Sequence, residues 1–279
     1  MIRLIASDLD NTALWHGKLS HNNRLAIEKA IRGGVEFVVA TGRGLSGVPE
    51  VFYEIEGFRY AITSNGSCVY DVRTGERLRH EVISEEEARA LFDIGQSLNV
   101  TYEIFVEGNA YVDSSYYDDP VRFGQFEEHV PYIKSTRKPV CNIVKFIEEH
   151  IGEVENFVFV TPNKEVHAEV SRLVKSRCPQ NVLVDNEPQW VEVMSTRSGK
   201  GQGLLDLCRI IGVDISETCA IGDNDNDIDM LKTAGFAVAM GNGSSGALAQ
   251  ADYVTRDVIE DGLSYAIEHV CKLKNELKA

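Results

Sequence analysis

Ile2-Arg3-Leu4-Ile5-Ala6-Ser7-Asp8-Leu9-Asp10-Asn11-Thr12 is the stretch on which the reading of the whole chain turns. It opens with an apolar run that predicts a buried strand. Side chains two apart on a strand point the same way, so Asp8 and Asp10 project together from the strand's carboxyl end. Open α/β sheets place their ligands at that end. Two adjacent carboxylates repel each other, which raises a pKa unless a proton or a cation lies between them. A hard divalent cation such as Mg²⁺ suits oxygen ligands of this kind, and the second carboxyl can then do acid–base work beside the first. An Asp-x-Asp pair alone is equally compatible with an acidic surface turn, so its weight depends on what converges on it.

Working outward, Ser20 is the expected N-cap of a helix with Leu25, Ala26, Ala30 and Ile31 on its apolar face, stopped by Gly33-Gly34. Val35–Ala40 reads as a second strand running into Thr41-Gly42-Arg43. Tyr60–Thr63 is a third, ending at Ser64-Asn65-Gly66. Strands alternating with helices imply right-handed crossovers and a parallel sheet. The pattern changes after Gly66. Cys68–Asp71 with Arg77–Ile83, and Thr101–Val106 with Ala110–Asp113, read as hairpins. Between them Ser84 and Glu87 form a capping box. Pro139 is expected to open a helix, Phe157–Val160 is a strand, Thr161 caps a helix begun by Pro162, and Val182–Val184 and Trp190–Met194 are strands. The parallel pattern resumes at Lys200, with a helix over 201–211, strands at Thr218–Ile221 and Phe236–Met240, and a last helix at Asp261–Leu273. The fold class is therefore α/β. A Rossmann-like parallel-sheet core spans 1–82 and 190–279, and an α+β domain is inserted at 83–189.

The chain has 279 residues, 43% hydrophobic and 25% charged, with a net charge of −15. This acidity argues against nucleic acid and anionic membranes as partners. An anionic substrate would need local positive charge from a metal or a few placed basic residues. Six cysteines (Cys68, Cys141, Cys178, Cys208, Cys219 and Cys271) form no CxxC pair and are expected to be buried free thiols. No secretory signal precedes the first strand and no apolar run approaches membrane-spanning length, so the expected location is cytoplasmic.

Thr41-Gly42 offers a hydroxyl and backbone N–H groups that glycine lets a phosphate approach closely. Lys200 follows Ser198-Gly199 at a helix start, where a cation gains nothing from the helix dipole; a solvated lysine and a phosphate contact fit equally well. Gly222-Asp223-Asn224-Asp225-Asn226-Asp227 is a second metal candidate. An EF-hand reading fails, because its sixth and twelfth positions are Ile228 and Ala234 rather than Gly and Glu. Gly241–Gly246 matches GxGxxG, but too little chain follows for a dinucleotide fold to continue. His16 and His21 read as surface residues. In a parallel sheet the strands' carboxyl ends share one edge, so the Asp8, Thr41 and Asp223 clusters converge.

These residues resemble a known family. Asp8-Leu9-Asp10-Asn11-Thr12, Thr41-Gly42-Arg43, Lys200 and Gly222-Asp223…Asn226-Asp227 are similar to the four motifs of the haloacid dehalogenase (HAD) superfamily. Ser64-Asn65-Gly66, Trp190–Met194, Asp227–Leu231, Val238–Asn242, Asp252–Thr255 and Asp261-Gly262 resemble its Cof-type subfamily of sugar-phosphate and related phosphatases. The inserted domain fits the subfamily's C2-type cap by position and pattern. Asn11 stands where the family usually has Gly, and Asn tolerates a left-handed backbone.

The resemblance implies a Mg²⁺-dependent phosphatase of small phosphorylated metabolites: sugar phosphates, with FMN and pyridoxal phosphate as further candidates. Asp8 would be the nucleophile, forming an aspartyl-phosphate, and Asp10 the general acid and base. The metal would be held by the Asp8 carboxylate, the Asp10 backbone carbonyl and Asp223, with Asp227 in support. Leu9, Thr41, Gly42, Lys200 and Asn226 would hold the phosphoryl oxygens, and the cap would exclude water and choose the leaving group. A phosphomutase on the same scaffold and a non-catalytic sugar-phosphate-binding protein are the alternatives. Tyr102, Glu103, Tyr111, Tyr116, Tyr117 and Trp190 are candidates for a cap pocket, although aromatics at those spacings serve more often in packing. Oligomeric state leaves no readable signal.

Overall fold

Strand β1 (Leu4–Ser7) is buried at every position, as befits a strand covered on both faces. The computed structural model describes residues 1–184 and 188–276, with side chains through 272. After β1 come a small hairpin, β2 (Leu14–Trp15) and β3 (Lys18–Leu19), then α1 (His21–Arg32), β4 (Glu36–Ala40), α2 (Glu50–Tyr53), β5 (Tyr60–Thr63), β6 (Cys68–Asp71) and β7 (Glu76–His80). The middle of the chain forms α3 (Glu85–Leu98), β8 (Thr101–Val106), β9 (Asn109–Asp113), α4 (Ser114–Asp118), α5 (Val130–Thr136), β10 (Arg137–Val140), α6 (Ile143–Glu149), β11 (Asn156–Val160), α7 (Lys164–Arg177), β12 (Val182–Val184) and β13 (Trp190–Met194). The last part forms α8 (Lys200–Ile211), β14 (Thr218–Gly222), α9 (Ile228–Thr233), β15 (Phe236–Ala239), α10 (Ser245–Leu248), β16 (Tyr253–Val254) and α11 (Gly262–Glu276).

Two compact units result. One comprises Met1–Gly42, Val48–Arg79 and the chain from Gly199; the other comprises Arg43–Gly47 and His80–Ser198. The first is built on a sheet of order β16-β15-β14-β1-β4-β5-β6-β7. Its strands from β16 to β5 run parallel, and β6 is antiparallel to β5. Leu4 and Ala6 face a core shared with Leu204 and Leu207 of α8 and Met230 of α9. By alternation Ile5 and Phe37 face the opposite side. The chain moves outward from β1 in both directions, through β4 on one side and β14 on the other. That makes the carboxyl end of β1 a topological switch point, where such sheets open a crevice.

The second unit holds a sheet of order β10-β9-β8-β11-β13-β12. On one face, Tyr102, Ile104, Phe157, Phe159, Val191 and Val193 pack with residues of α3, α6 and α7. From the opposite face Glu103 is fully buried. It accepts two hydrogen bonds from Arg137 (2.9 and 2.6 Å) and one each from the Tyr116 hydroxyl (2.9 Å) and the Trp190 indole N–H (3.0 Å). A buried charge persists only when it is paired and hydrogen-bonded in this way. Tyr102, Tyr116 and Glu103 are therefore framework of this unit.

Several sequence-based boundaries move. Trp190–Met194, expected to begin the second core segment, pairs with β11 and β12 in the six-stranded sheet, so the core resumes at Gly199 and not at 190. The short strand shares its alternating pattern with strands of either sheet, and only its partners decide where it belongs. Pro139 lies inside strand β10, and the helix starts after the Asn142 cap. β10 is a sheet edge, where a residue lacking an N–H is tolerated. Asn163, not Thr161, caps α7. The Ser20 cap and the Ser84/Glu87 capping box are present. All six cysteines are free, but Cys141 is exposed and Cys271 half-buried.

Candidate active site

Three carboxylates and one ammonium meet at the carboxyl ends of β1 and β14. Asp8 directly follows β1, and its N–H extends the ladder by donating to the Ile221 carbonyl (2.9 Å). The backbone then winds tightly, because the Leu9 carbonyl accepts from the N–H groups of Ala13 (3.0 Å) and Leu14 (2.7 Å). Asn11 takes the left-handed conformation (φ 58°) that this turn requires. Leu9 itself is fully buried, so only its backbone could meet a ligand.

The acidic loop is fixed by its own side chains. Asp227 Oδ2 accepts from the N–H groups of Asp223 (2.9 Å) and Asn224 (3.0 Å). This occupies one carboxylate oxygen and aims the other, Oδ1, at Lys200. Lys200 is the first residue of α8 and only 1% exposed. Its Nζ donates to Asp227 Oδ1 and to Asp8 Oδ1, both at 2.6 Å. The solvated-lysine reading is thus excluded. Thr12 Oγ1 donates to Asp223 Oδ1 (2.6 Å), tying the first motif to the last.

Glycines and one distant carboxylate set the position of Lys200. A β-carbon on Gly201 would lie 2.6 Å from the Asp229 carbonyl oxygen, and one on Gly203 would lie 2.6 Å from Ile62 Cγ2. α8 can therefore pack close to α9 and β5 only with glycine there. Gly199, at the N-cap, has no side chain to offer. Asp229 Oδ2, from α9, accepts from the Gly201 N–H instead (2.9 Å). Asp229 was not singled out from the sequence. The signal was the Gly-Lys-Gly-x-Gly start of a helix that lacks a cap of its own.

Burial dominates the electrostatics. It pushes the Asp8 carboxyl well above the usual carboxylate range; Asp227, Asp223 and Asp10 add to the effect and Lys200 opposes it. Asp223 is pushed up to about 7 by burial and then by Asp227, against the Thr12 hydrogen bond and Lys200. Burial would lower the Lys200 ammonium, but Asp227 and Asp8 outweigh it and keep it charged. A cluster that resists carrying its own negative charge is one that a cation would relieve. Carboxylate oxygens of Asp8, Asp223 and Asp227 lie within 4.8 Å of one another, and an all-oxygen, buried donor set of this kind fits a hard divalent ion.

The remaining candidates divide. Thr41 is buried, its N–H donating to the Ile62 carbonyl (2.9 Å). Asn226 Nδ2 donates to Asn65 Oδ1 (3.2 Å), and the Asn65 amide packs against Gly42. Asp10 is half-buried, pairs through its backbone with Leu14, and its carboxylate lies outside the three-carboxylate group. Arg43 belongs to the second unit, with its guanidinium donating to the Gly47 carbonyl (2.8 Å) and lying over the Tyr132 ring. His16 and His21 are exposed. The Gly241–Gly246 turn is structural. Asn242 Nδ2 donates to the Asn11 carbonyl (2.9 Å) and the Ser244 N–H to the Asp223 carbonyl (2.7 Å), so the turn braces both acidic motifs.

Residues 5–267 match the model of a family described as haloacid dehalogenase-like hydrolases. The chain is 28% identical over 287 residues to the phosphatase YwpJ of Bacillus subtilis, covering 96% of this chain and all of that one. It is 27% identical over 269 residues to the 5-amino-6-(5-phospho-D-ribitylamino)uracil phosphatase YcsE of the same organism, covering 96% and 95% of the two chains. The solved structure of a haloacid dehalogenase-like hydrolase from B. subtilis superposes with a TM-score of 0.81 at 28% identity, covering 96% of this chain and 99% of that one.

Proposed function

Because the chain belongs to the haloacid dehalogenase-like hydrolase family, we propose that it is a Mg²⁺-dependent phosphatase of small phosphorylated metabolites. The observation that carries this reading is the meeting of Asp8, Asp223 and Asp227 with the buried Lys200 ammonium at the switch point of a parallel sheet. Phosphoryl transfer asks a protein chiefly for positioning and charge neutralisation; the sheet edge fixes the positions, and Lys200 together with a cation held by the carboxylates would supply the charge.

In the proposed reaction an Asp8 carboxylate oxygen attacks phosphorus in line. A P–O bond to Asp8 forms as the bond to the leaving oxygen breaks, and Asp10 gives that oxygen its proton. Asp10, now a carboxylate, takes a proton from water as the water attacks phosphorus. The bond to Asp8 breaks, and inorganic phosphate and both carboxyl groups are restored. Lys200, Thr41, Gly42, Asn226 and the Leu9 backbone hold the phosphoryl oxygens. Mg²⁺, held by Asp8, the Asp10 carbonyl and Asp223 with Asp227 in support, would supply charge neutralisation at the transferring group. The substrate class extends the similarity to named phosphatases: phosphate monoesters of sugars, sugar alcohols and small cofactors.

The test is phosphate release from sugar phosphates, nucleotides, FMN and pyridoxal phosphate, with Mg²⁺ or EDTA, beside Asp8→Asn. Release that requires Mg²⁺ and is lost in the variant is expected. Full activity in Asp8→Asn would remove the nucleophile assignment. Absence of release from every ester would return weight to a mutase or a binding protein.

A further inference from the structure

The turn Ser64-Asn65-Gly66, between β5 and β6, has no part in the mechanism above, yet its backbone is costly. Ser64 (φ 50°), Asn65 (φ 49°) and Gly66 (φ 86°) are successive left-handed residues. Asn65 tolerates that conformation, but the β-carbon of Ser64 makes it unfavourable there, and such strain persists only where the surroundings enforce it.

The surroundings are the groups proposed to hold phosphate. The Asn65 N–H donates to the Thr41 carbonyl (3.0 Å). Asn65 Oδ1 accepts from Asn226 Nδ2 (3.2 Å). A β-carbon on Gly42 would sit 3.0 Å from Asn65 Oδ1 and 3.2 Å from its Nδ2, so the amide backs directly onto the Thr41-Gly42 turn. Gly66 packs so closely on the Gly199 carbonyl, one residue before Lys200, that any side chain there would collide with it. Asn65 is 3% exposed. One buried residue thus joins the carboxyl-end loops of β4 and β14, and its neighbour abuts the start of α8.

We propose that Asn65 is a positioning residue, which orients the Asn226 side-chain amide and backs the Thr41-Gly42 turn so that both face the transferring phosphoryl group. The inference rests on the phosphatase reading and adds a residue to it. Asn65 acts through Asn226 and Gly42. Its side-chain oxygen selects the rotamer in which the Asn226 amide is held, and its left-handed backbone brings that oxygen within reach.

The test separates side chain from backbone. Asn65→Gly keeps a left-handed backbone without strain and removes only the amide. Its thermal midpoint should stay near that of the wild type, while kcat/KM falls about tenfold, the loss expected for one oriented hydrogen bond. With Mg²⁺ present, the dissociation constant for inorganic phosphate, read by calorimetry, should rise by a similar factor. Asn65→Gly/Asn226→Ala should lose less than the product of the two single losses, because part of the effect of Asn65 passes through Asn226. If Asn65→Gly does not fold, Asn65→Asp, which also tolerates the left-handed backbone but lacks the amide N–H groups beside Gly42, enters the same cycle. Unchanged phosphate affinity and kcat/KM in Asn65→Gly, or losses that multiply in the double variant, would overturn the inference. A wild-type protein that neither binds phosphate nor releases it would overturn the phosphatase reading and this inference with it.

Discussion

Replacing Lys200 by Met keeps the length of the side chain and removes the one charge that two buried carboxylates share. Taking one partner from a buried ion pair costs about 3–5 kcal/mol, because the remaining charge is left uncompensated. For a unit of this size that corresponds to a fall of about 6–20 °C in thermal midpoint. The sign of the pH dependence follows from the carboxyls. Asp8 and Asp223 both sit above their ordinary range in the folded protein. Such groups bind more protons folded than unfolded, so stability falls as pH rises between the unfolded and folded values. Without Lys200 the folded values climb further and the window widens upward. Calorimetric unfolding in EDTA should therefore show a larger deficit at pH 8 than at pH 5.5, and excess Mg²⁺ should recover part of it. A variant as stable as wild type at pH 8, or a deficit larger at pH 5.5, would refute the reasoning.

Three further outcomes are expected. With Asp223 pushed up to about 7 from an ordinary 3.8, the metal-free protein should lose stability as pH rises through that interval. Mg²⁺ should accordingly raise the thermal midpoint more at pH 7.5 than at pH 5.5; an equal rise at both would count against the acidic cluster as its site. Asp229→Ala removes the cap that α9 lends to α8 and should cost about 0.5–2 kcal/mol in urea unfolding, whereas unaltered stability would show that the cap carries no weight. Arg137→Met leaves Glu103 buried without its cation and should cost about 3–5 kcal/mol. Adding Glu103→Gln should restore most of that loss, and failure to do so would mean that packing, not charge, is at stake.

The central strand, the parallel order and the converging acidic loops were legible because each rests on local pattern: an apolar run, a glycine stop, a carboxylate at a strand end. Asn11 was legible too, since a left-handed position restricts the choice of residue. Where the reading failed, the deciding partner was far away in sequence. Trp190–Met194 alternates like any half-buried strand, and only its pairing with Asn156–Val160 assigns it to the inserted unit. Pro139 looked like a helix start because proline suits both a first helical turn and a sheet edge. Lys200 stayed undecided between solvent and site, because nothing local says that Asp8, 192 residues away, will bury it. Asp229 was hidden by its own motif, one acid among four whose particular task is to cap a different helix.

β1 lies between β4 and β14, and Leu4 is paired with Thr218. On the ribosome this means that β1 must wait, one edge open, while some two hundred residues emerge before β14. The inserted unit is nearly continuous in sequence and can complete its sheet during that time, whereas the unit that carries Asp8 closes only after β14 has left the tunnel. Lys200, Asp223 and Asp227 arrive with that same late segment. The nascent chain therefore exposes an apolar sheet edge while the inserted unit is made, and the Asp8 carboxylate gains its neighbours in the same step that closes that edge.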